Sequence, residues 1–202
     1  MIRYLALGDS YTIGEAVEKD QSFPHQLLHG SNAIQLKDDQ LKIIAVTGWT
    51  TNDLLQAIKK ENPKQGIWSF ITLLIGVNNQ YQGLPTELYE KEFEELLSKA
   101  IQLMNGQAQR VVVISIPDYG VTPFSEALDG LKISKEINQY NLLAEAKAKQ
   151  AGANWVNITD VSLEAKDQPQ LIACDGLHPS GLQYKKWVDK IYPVIKKIIN
   201  NE

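Results

Sequence analysis

A serine, an aspartate and a histidine in this sequence have the surroundings that hydroxyl-based nucleophilic chemistry needs. Ser10 stands in Leu5-Ala6-Leu7-Gly8-Asp9-Ser10-Tyr11-Thr12-Ile13-Gly14, where an apolar run stops at a glycine. Ile2 to Leu7 reads as a buried strand, and Gly8 and Gly14 suit a tight loop leading into a helix. Ser10 is therefore expected at a strand-to-loop junction, where functional residues concentrate. Asp9 and Ser10 are also preferred helix caps, a simpler role that competes with the chemical one. Asp175 and His178 lie three apart in Cys174-Asp175-Gly176-Leu177-His178-Pro179-Ser180. In a helical turn that spacing can set the carboxylate beside one imidazole nitrogen and leave the other to take a proton from a hydroxyl. A serine needs such a base within hydrogen-bond reach, because its hydroxyl alone is a poor nucleophile.

These segments sit at opposite ends of the chain, so the fold must bring them together. Four further apolar runs follow the first: Leu41 to Val46, Trp68 to Ile75, Arg110 to Ile116 and Trp155 to Ile158. Helical patterns separate them. They comprise a short helix over Phe23 to His29, one opened by Thr51-Asn52-Asp53, a long one from Thr86, one from about Ser134 to Gln150, and a last from Gly181 with Pro193 as an expected kink. In the long helix Leu88, Phe93, Leu96, Leu97, Ala100, Ile101 and Met104 recur at helical spacing, which marks core packing. Strands alternating with helices predict an α/β three-layer sandwich built on a five-stranded parallel sheet, with one domain over residues 1–202.

A parallel sheet delivers all its strands to one edge, so the loops after successive strands meet there. Ser10 then joins Gly48, Asn78 and Tyr119 along one rim. Acyl transfer needs donors for the developing oxyanion, and the backbone N–H groups of Ser10 and Gly48 with the Asn78 amide are the candidates. Trp49, Tyr81, Tyr119, Val121 and Phe124 lie in loops at the same edge, either as the lining of an acyl pocket or as core and lid packing.

Together these blocks resemble the SGNH (GDSL-type) serine hydrolase family across nearly the whole chain. Gly8-Asp9-Ser10-Tyr11 with Gly14 is similar to its first block, Gly48 within Thr47-Gly48-Trp49-Thr50-Thr51 to its second, Gly76-Val77-Asn78-Asn79 to its third, and Asp175-Gly176-Leu177-His178 to its last. The resemblance implies Ser10 as nucleophile, Asp175 and His178 as the rest of a triad, Gly48 and Asn78 in the oxyanion hole, a flavodoxin-like fold, and no cofactor. Asn79 departs from the usual aspartate, and Glu15 after Gly14 is also uncommon. The expected activity is hydrolysis of carboxylic esters with short acyl groups through an acyl-enzyme. Lysophospholipase or thioesterase action, or a catalytically silent ligand-binding module on the same fold, are the alternatives.

Composition narrows the partners. The chain has 202 residues, 44% of them hydrophobic, and a net charge of −4 with no basic stripe, which argues against nucleic acid. No apolar run approaches the roughly 18 residues that span a bilayer, and Met1 to Leu7 is short for a signal peptide. A cytoplasmic location is expected, although a mature exported form given a new Met1 would read the same. The single cysteine, Cys174, permits no intramolecular disulfide and is expected as a small buried filler. His25 and His29 have a zinc-compatible i, i+4 spacing but lack the intervening glutamate of His-Glu-x-x-His, so a surface helix without metal is expected. Gly8 to Gly14 lacks the Lys-Ser/Thr ending of a phosphate-binding loop. The oligomeric state is not legible.

Overall fold

A computed structural model describes residues 2–30, 34–35 and 37–200. In chain order these form β1 (Tyr4–Gly8), α1 (Ser10–Ile13), α2 (Phe23–His29), β2 (Leu41–Ala45), α3 (Thr51–Glu61), β3 (Phe70–Leu74), α4 (Val77–Tyr81), α5 (Thr86–Leu103), β4 (Val111–Ile114), α6 (Gly130–Ala151), β5 (Asn154–Val156), α7 (Thr159–Leu163) and α8 (Gly181–Asn200), with 3-10 turns between several of them. The five strands pair in parallel in the order β2-β1-β3-β4-β5, the flavodoxin-like arrangement.

Burial explains why these runs become strands. Every residue of β1, β3 and β4 is buried, because helices cover both faces, and such strands carry continuous apolar runs without alternation. At the sheet edges β2 and β5 are only partly buried. Helices α2 and α8 pack together on one face, while α3, α5 and α6 form the layer on the other. The apolar face of α8 buries Tyr184, Trp187, Val188, Ile191 and Ile195, and the helix continues through Pro193.

Strands are a residue or more shorter than the apolar runs, since the run ends lie beyond the ladder: Val46, for example, is 46% exposed. Helix α6 starts at Gly130, before the expected Ser134, because the Asp129 side chain accepts the Lys132 amide and caps it there. Helix α2 is half a core element. His25 is buried and hydrogen-bonds Ser22 Oγ through Nδ1 at 2.9 Å, while His29 Nε2 lies 2.6 Å from Asp38 Oδ1. Cys174 corrects another expectation, being exposed in the loop before Asp175.

The strand order reverses between β1 and β3, so the connections leaving these neighbours diverge and open a crevice at the carboxyl edge. The β1–α1 junction that feeds it is tightly specified. A Cβ at Gly8 would lie 2.1 Å from Thr12 Oγ1 and 2.5 Å from the Leu74 carbonyl oxygen, so only glycine fits. Asp9 caps α1, its Oδ1 accepting the Tyr11 amide at 3.0 Å. Its other oxygen, Oδ2, is buried with no partner among the described residues. Burial pushes the Asp9 carboxyl up to about 7, against the opposing pull of the Tyr11 and Asp9 amides. Because the folded value lies above the usual 3.8, the folded state holds this proton better than the unfolded chain does. That contribution is complete below about pH 4 and is lost as pH rises to about 7, on the order of a few kcal/mol. Asp9→Asn should therefore gain stability relative to wild type progressively between pH 4 and 7 in urea unfolding, and a pH-independent difference would contradict a neutral Asp9.

Candidate active site

Ser10 is the first residue of α1, so the sharp turn out of β1 presents its side chain at the crevice. Its Oγ lies 3.1 Å from His178 Nε2, across 168 residues of sequence. On the far side of the ring, His178 Nδ1 is 2.6 Å from Asp175 Oδ2. A neutral imidazole that donates from Nδ1 to this carboxylate has Nε2 free as acceptor, aimed at the serine hydroxyl.

The loop that carries the imidazole is held from several directions. Asp175 Oδ1 accepts the amides of Leu177 and His178, each at 3.0 Å, so one carboxylate folds the backbone and orients the ring. A bridge between Ile172 and Pro179 closes the base of the loop, with the Ala173 amide donating to the His178 carbonyl at 2.8 Å. Beneath the ring, Tyr11 meets His178 edge-on at 5.6 Å between centroids and packs in turn against Trp187. Partial burial would raise the Asp175 carboxyl, but the imidazole and the two loop amides outweigh it and hold the group below the ordinary aspartate value. Ser10 and His178 are only 5% and 8% exposed, so a reactant must approach through the cleft they line.

That cleft measures about 260 Å³ and is lined by Ser10, Tyr11, Thr47, Gly48, Val77, Asn78, Tyr81, Tyr119, Phe124, Leu177 and His178. Gly48 and Asn78 thus meet Ser10, as the shared sheet edge implies. At Gly48 a Cβ would find open space, so its φ of +85°, not crowding, calls for glycine. Asn78 sits in the first turn of α4, and its Nδ2 donates to the Trp49 carbonyl at 2.9 Å, leaving that amide a second hydrogen.

The expected pocket residues divide. Tyr81, Tyr119 and Phe124 line the cleft as a mutual cluster, with centroids 6.4, 6.1 and 6.3 Å apart. Trp49 does not line it: its side chain packs against the core and its carbonyl anchors Asn78. Val121 also falls outside, lining a separate groove with Thr122 and Pro123. Tyr11, Thr47, Val77 and Leu177 line the cleft without having been singled out, and the available signal was their place beside Ser10, Gly48, Asn78 and His178 in sequence.

Asn79 has a specific role in the surrounding network. Buried in α4, it accepts the Thr51 amide at 3.0 Å and donates to Thr51 Oγ1 at 2.7 Å, while Thr51 Oγ1 donates to Glu92. An aspartate at position 79 could not donate to Thr51, and two carboxylates would compete for one hydroxyl proton. Asparagine here is matched to Glu92. A similar chain runs from Tyr119, whose hydroxyl donates to Gln80 Oε1 at 2.7 Å, to Gln80 Nε2 donating to Glu136 at 2.8 Å. The tyrosine ring thereby faces the cleft with its hydroxyl turned away. No group of three or more metal-ligating side chains occurs among the described residues, and no described helix is long and apolar enough to cross a membrane.

A model of the GDSL-like Lipase/Acylhydrolase family matches residues 6–186. A related uncharacterized protein, YpmR of Bacillus subtilis strain 168, is 26% identical over 211 residues, which cover 95% of this chain and 80% of the relative. Among solved structures, a member of the lipolytic G-D-S-L family from Veillonella parvula aligns with a TM-score of 0.71 at 16% identity, over 98% of this chain and 100% of the other. The psychrotrophic esterase EstA from Pseudoalteromonas sp. aligns with a TM-score of 0.68 at 19% identity, over 99% and 100%. The structural likeness establishes a shared fold, and the family match reaches from β1 into α8, past every residue that meets at the crevice. By that match the chain belongs to the GDSL-like lipase/acylhydrolase family.

Proposed function

We propose that this chain is a serine esterase that hydrolyses small carboxylic esters through an acyl-enzyme on Ser10. The observation that carries this reading is the unbroken line Ser10 Oγ, His178 Nε2, His178 Nδ1, Asp175 Oδ2, with spacings of 3.1 and 2.6 Å at its two hydrogen bonds. In the first half-reaction Ser10 Oγ bonds to the ester carbonyl carbon as its proton passes to His178 Nε2. The tetrahedral oxyanion is met by the Ser10 and Gly48 amides and the free Asn78 hydrogen. Collapse breaks the bond to the alcohol oxygen, which leaves with the proton from His178. Water then repeats the sequence on the acyl-enzyme, giving the acid and restoring the Ser10 hydroxyl. Asp175 stays a carboxylate throughout and stabilises the imidazolium that forms transiently.

The cleft supports a small substrate. Its 260 Å³ lies below the roughly 300–1,000 Å³ of pockets for drug-sized ligands. The aromatic cluster offers one apolar wall for an acyl group of a few carbons, which favours short-chain esters over long-chain lipids.

Four measurements test this reading. A fluorophosphonate probe should label wild type and not Ser10→Ala, and Ser10→Ala should lose a factor on the order of 10⁴–10⁶ in kcat toward p-nitrophenyl acetate or butyrate. Equal background rates for both proteins would instead indicate a binding module. Asn78→Ala should lower kcat by roughly 10²–10³ with little change in KM; an undiminished kcat would leave Asn78 with only its tie to Trp49. On the acid side, kcat/KM should fall, since a protonated imidazole cannot accept the serine proton. A flat acid side would remove His178 as the base.

A further inference from the structure

Glu15 follows the left-handed Gly14 that ends α1, and its amide donates to the Ser10 carbonyl at 3.1 Å. It therefore lies one turn beyond Ser10, the residue that enters the crevice. Its carboxylate accepts a hydrogen bond from Thr47 Oγ1, and Thr47 lines the cleft beside Gly48. This places a negative charge on the rim fed by β2. At the other end of the cleft, beyond β3, stand the rings of Tyr81, Tyr119 and Phe124. Two further carboxyl groups contact lining residues, Asp175 behind the imidazole and the buried Asp9 beneath the Tyr11 amide. No lysine or arginine is among the lining residues to balance Glu15. An ester lying across Ser10 thus meets an apolar wall at one end and an acidic rim at the other.

We propose that Glu15 is a specificity-determining residue that restricts this site to neutral and cationic esters, disfavouring those that carry a carboxylate, sulfonate or phosphate. The inference rests on the esterase reading above. A unit charge several ångströms from a rim carboxylate at a protein surface changes kcat/KM by roughly three- to thirtyfold, with opposite sign for anions and cations. The discrimination is electrostatic, so salt weakens it.

The test compares wild type with Glu15→Gln, which keeps an acceptor for the Thr47 hydroxyl while removing the charge. The substrates are 4-nitrophenyl butyrate (neutral), mono-4-nitrophenyl glutarate (anionic acyl group), 4-butyryloxybenzenesulfonate (anionic leaving group) and butyrylcholine (cationic leaving group). Each kcat/KM is expressed relative to the neutral ester. Glu15→Gln should raise at least one anionic ratio by roughly three- to thirtyfold and lower the choline ratio. In wild type, 0.5 M NaCl should narrow the same gaps. Unchanged ratios in the variant, or a common factor on all four esters, would overturn the proposal while leaving the esterase reading intact. Wild type with no Ser10-dependent hydrolysis of the neutral ester would take down both.

Discussion

The one contact on which the site depends is the hydrogen bond between Ser10 Oγ and His178 Nε2, because it joins two ends of the chain that share no local structure. Neither end could hold it alone. Ser10 is placed by a buried central strand whose neighbours on both sides are hydrogen-bonded in parallel register. His178 is placed by a loop that its own aspartate folds and that α8 follows directly. A single bond worth about 1 kcal/mol net does not draw these segments together. The burial of β1, β3, β4 and α8 does that, and the bond forms because rigid elements have already set both partners in place.

Pre-setting of this kind requires polar groups near the core, and the structure handles them in two ways. Most are satisfied in short relays: Asn79 with Thr51 and Glu92, Tyr119 with Gln80 and Glu136, Ser115 with Asn157 and Thr159. The first two tie elements behind the crevice to ones that line it, and the third joins the ends of β4 and β5. Others are left without a partner among the described residues, including Thr12 Oγ1, the Tyr89 and Tyr184 hydroxyls and, next to the site, Asp9. Its capping oxygen is used, but its second oxygen has no partner among the described residues, and burial favours the neutral acid. That unpartnered oxygen sits directly before the serine.

Much of this was legible from residue order. Apolar runs located all five strands, the first and third of them stopping directly at a glycine, and parallel topology alone puts residues 10, 48 and 78 on one rim. The three-residue spacing of Asp175 and His178 anticipates their contact, since a turn of that size leaves the carboxylate little choice of partner. What stayed hidden depends on direction within loops. Trp49 and Tyr81 have equal claims on paper, yet a turn at Gly48 sends the Trp49 ring to the core and offers only its carbonyl to the site. Val121 diverges from Tyr119 for a similar reason, because a 3-10 turn over Tyr119–Val121 points successive side chains to different sides. Cys174 looked like core by residue type, but the turn that Asp175 caps leaves it outside. The partners of Asn79 and Gln80 come from α3, α6 and the turn at Tyr119, and no local pattern announces such long-range pairs.

The amide of Phe124 donates to the carbonyl of Gly176 at 3.0 Å, fastening the segment that carries the aromatic wall to the loop that carries the imidazole. Reshaping one therefore tugs on the other. Lengthening or grafting the 119–127 segment would disturb the alignment of the imidazole with Ser10, so on the esterase reading turnover and substrate range would be coupled in this scaffold. Redesign would have to preserve that backbone link before altering the side chains around it.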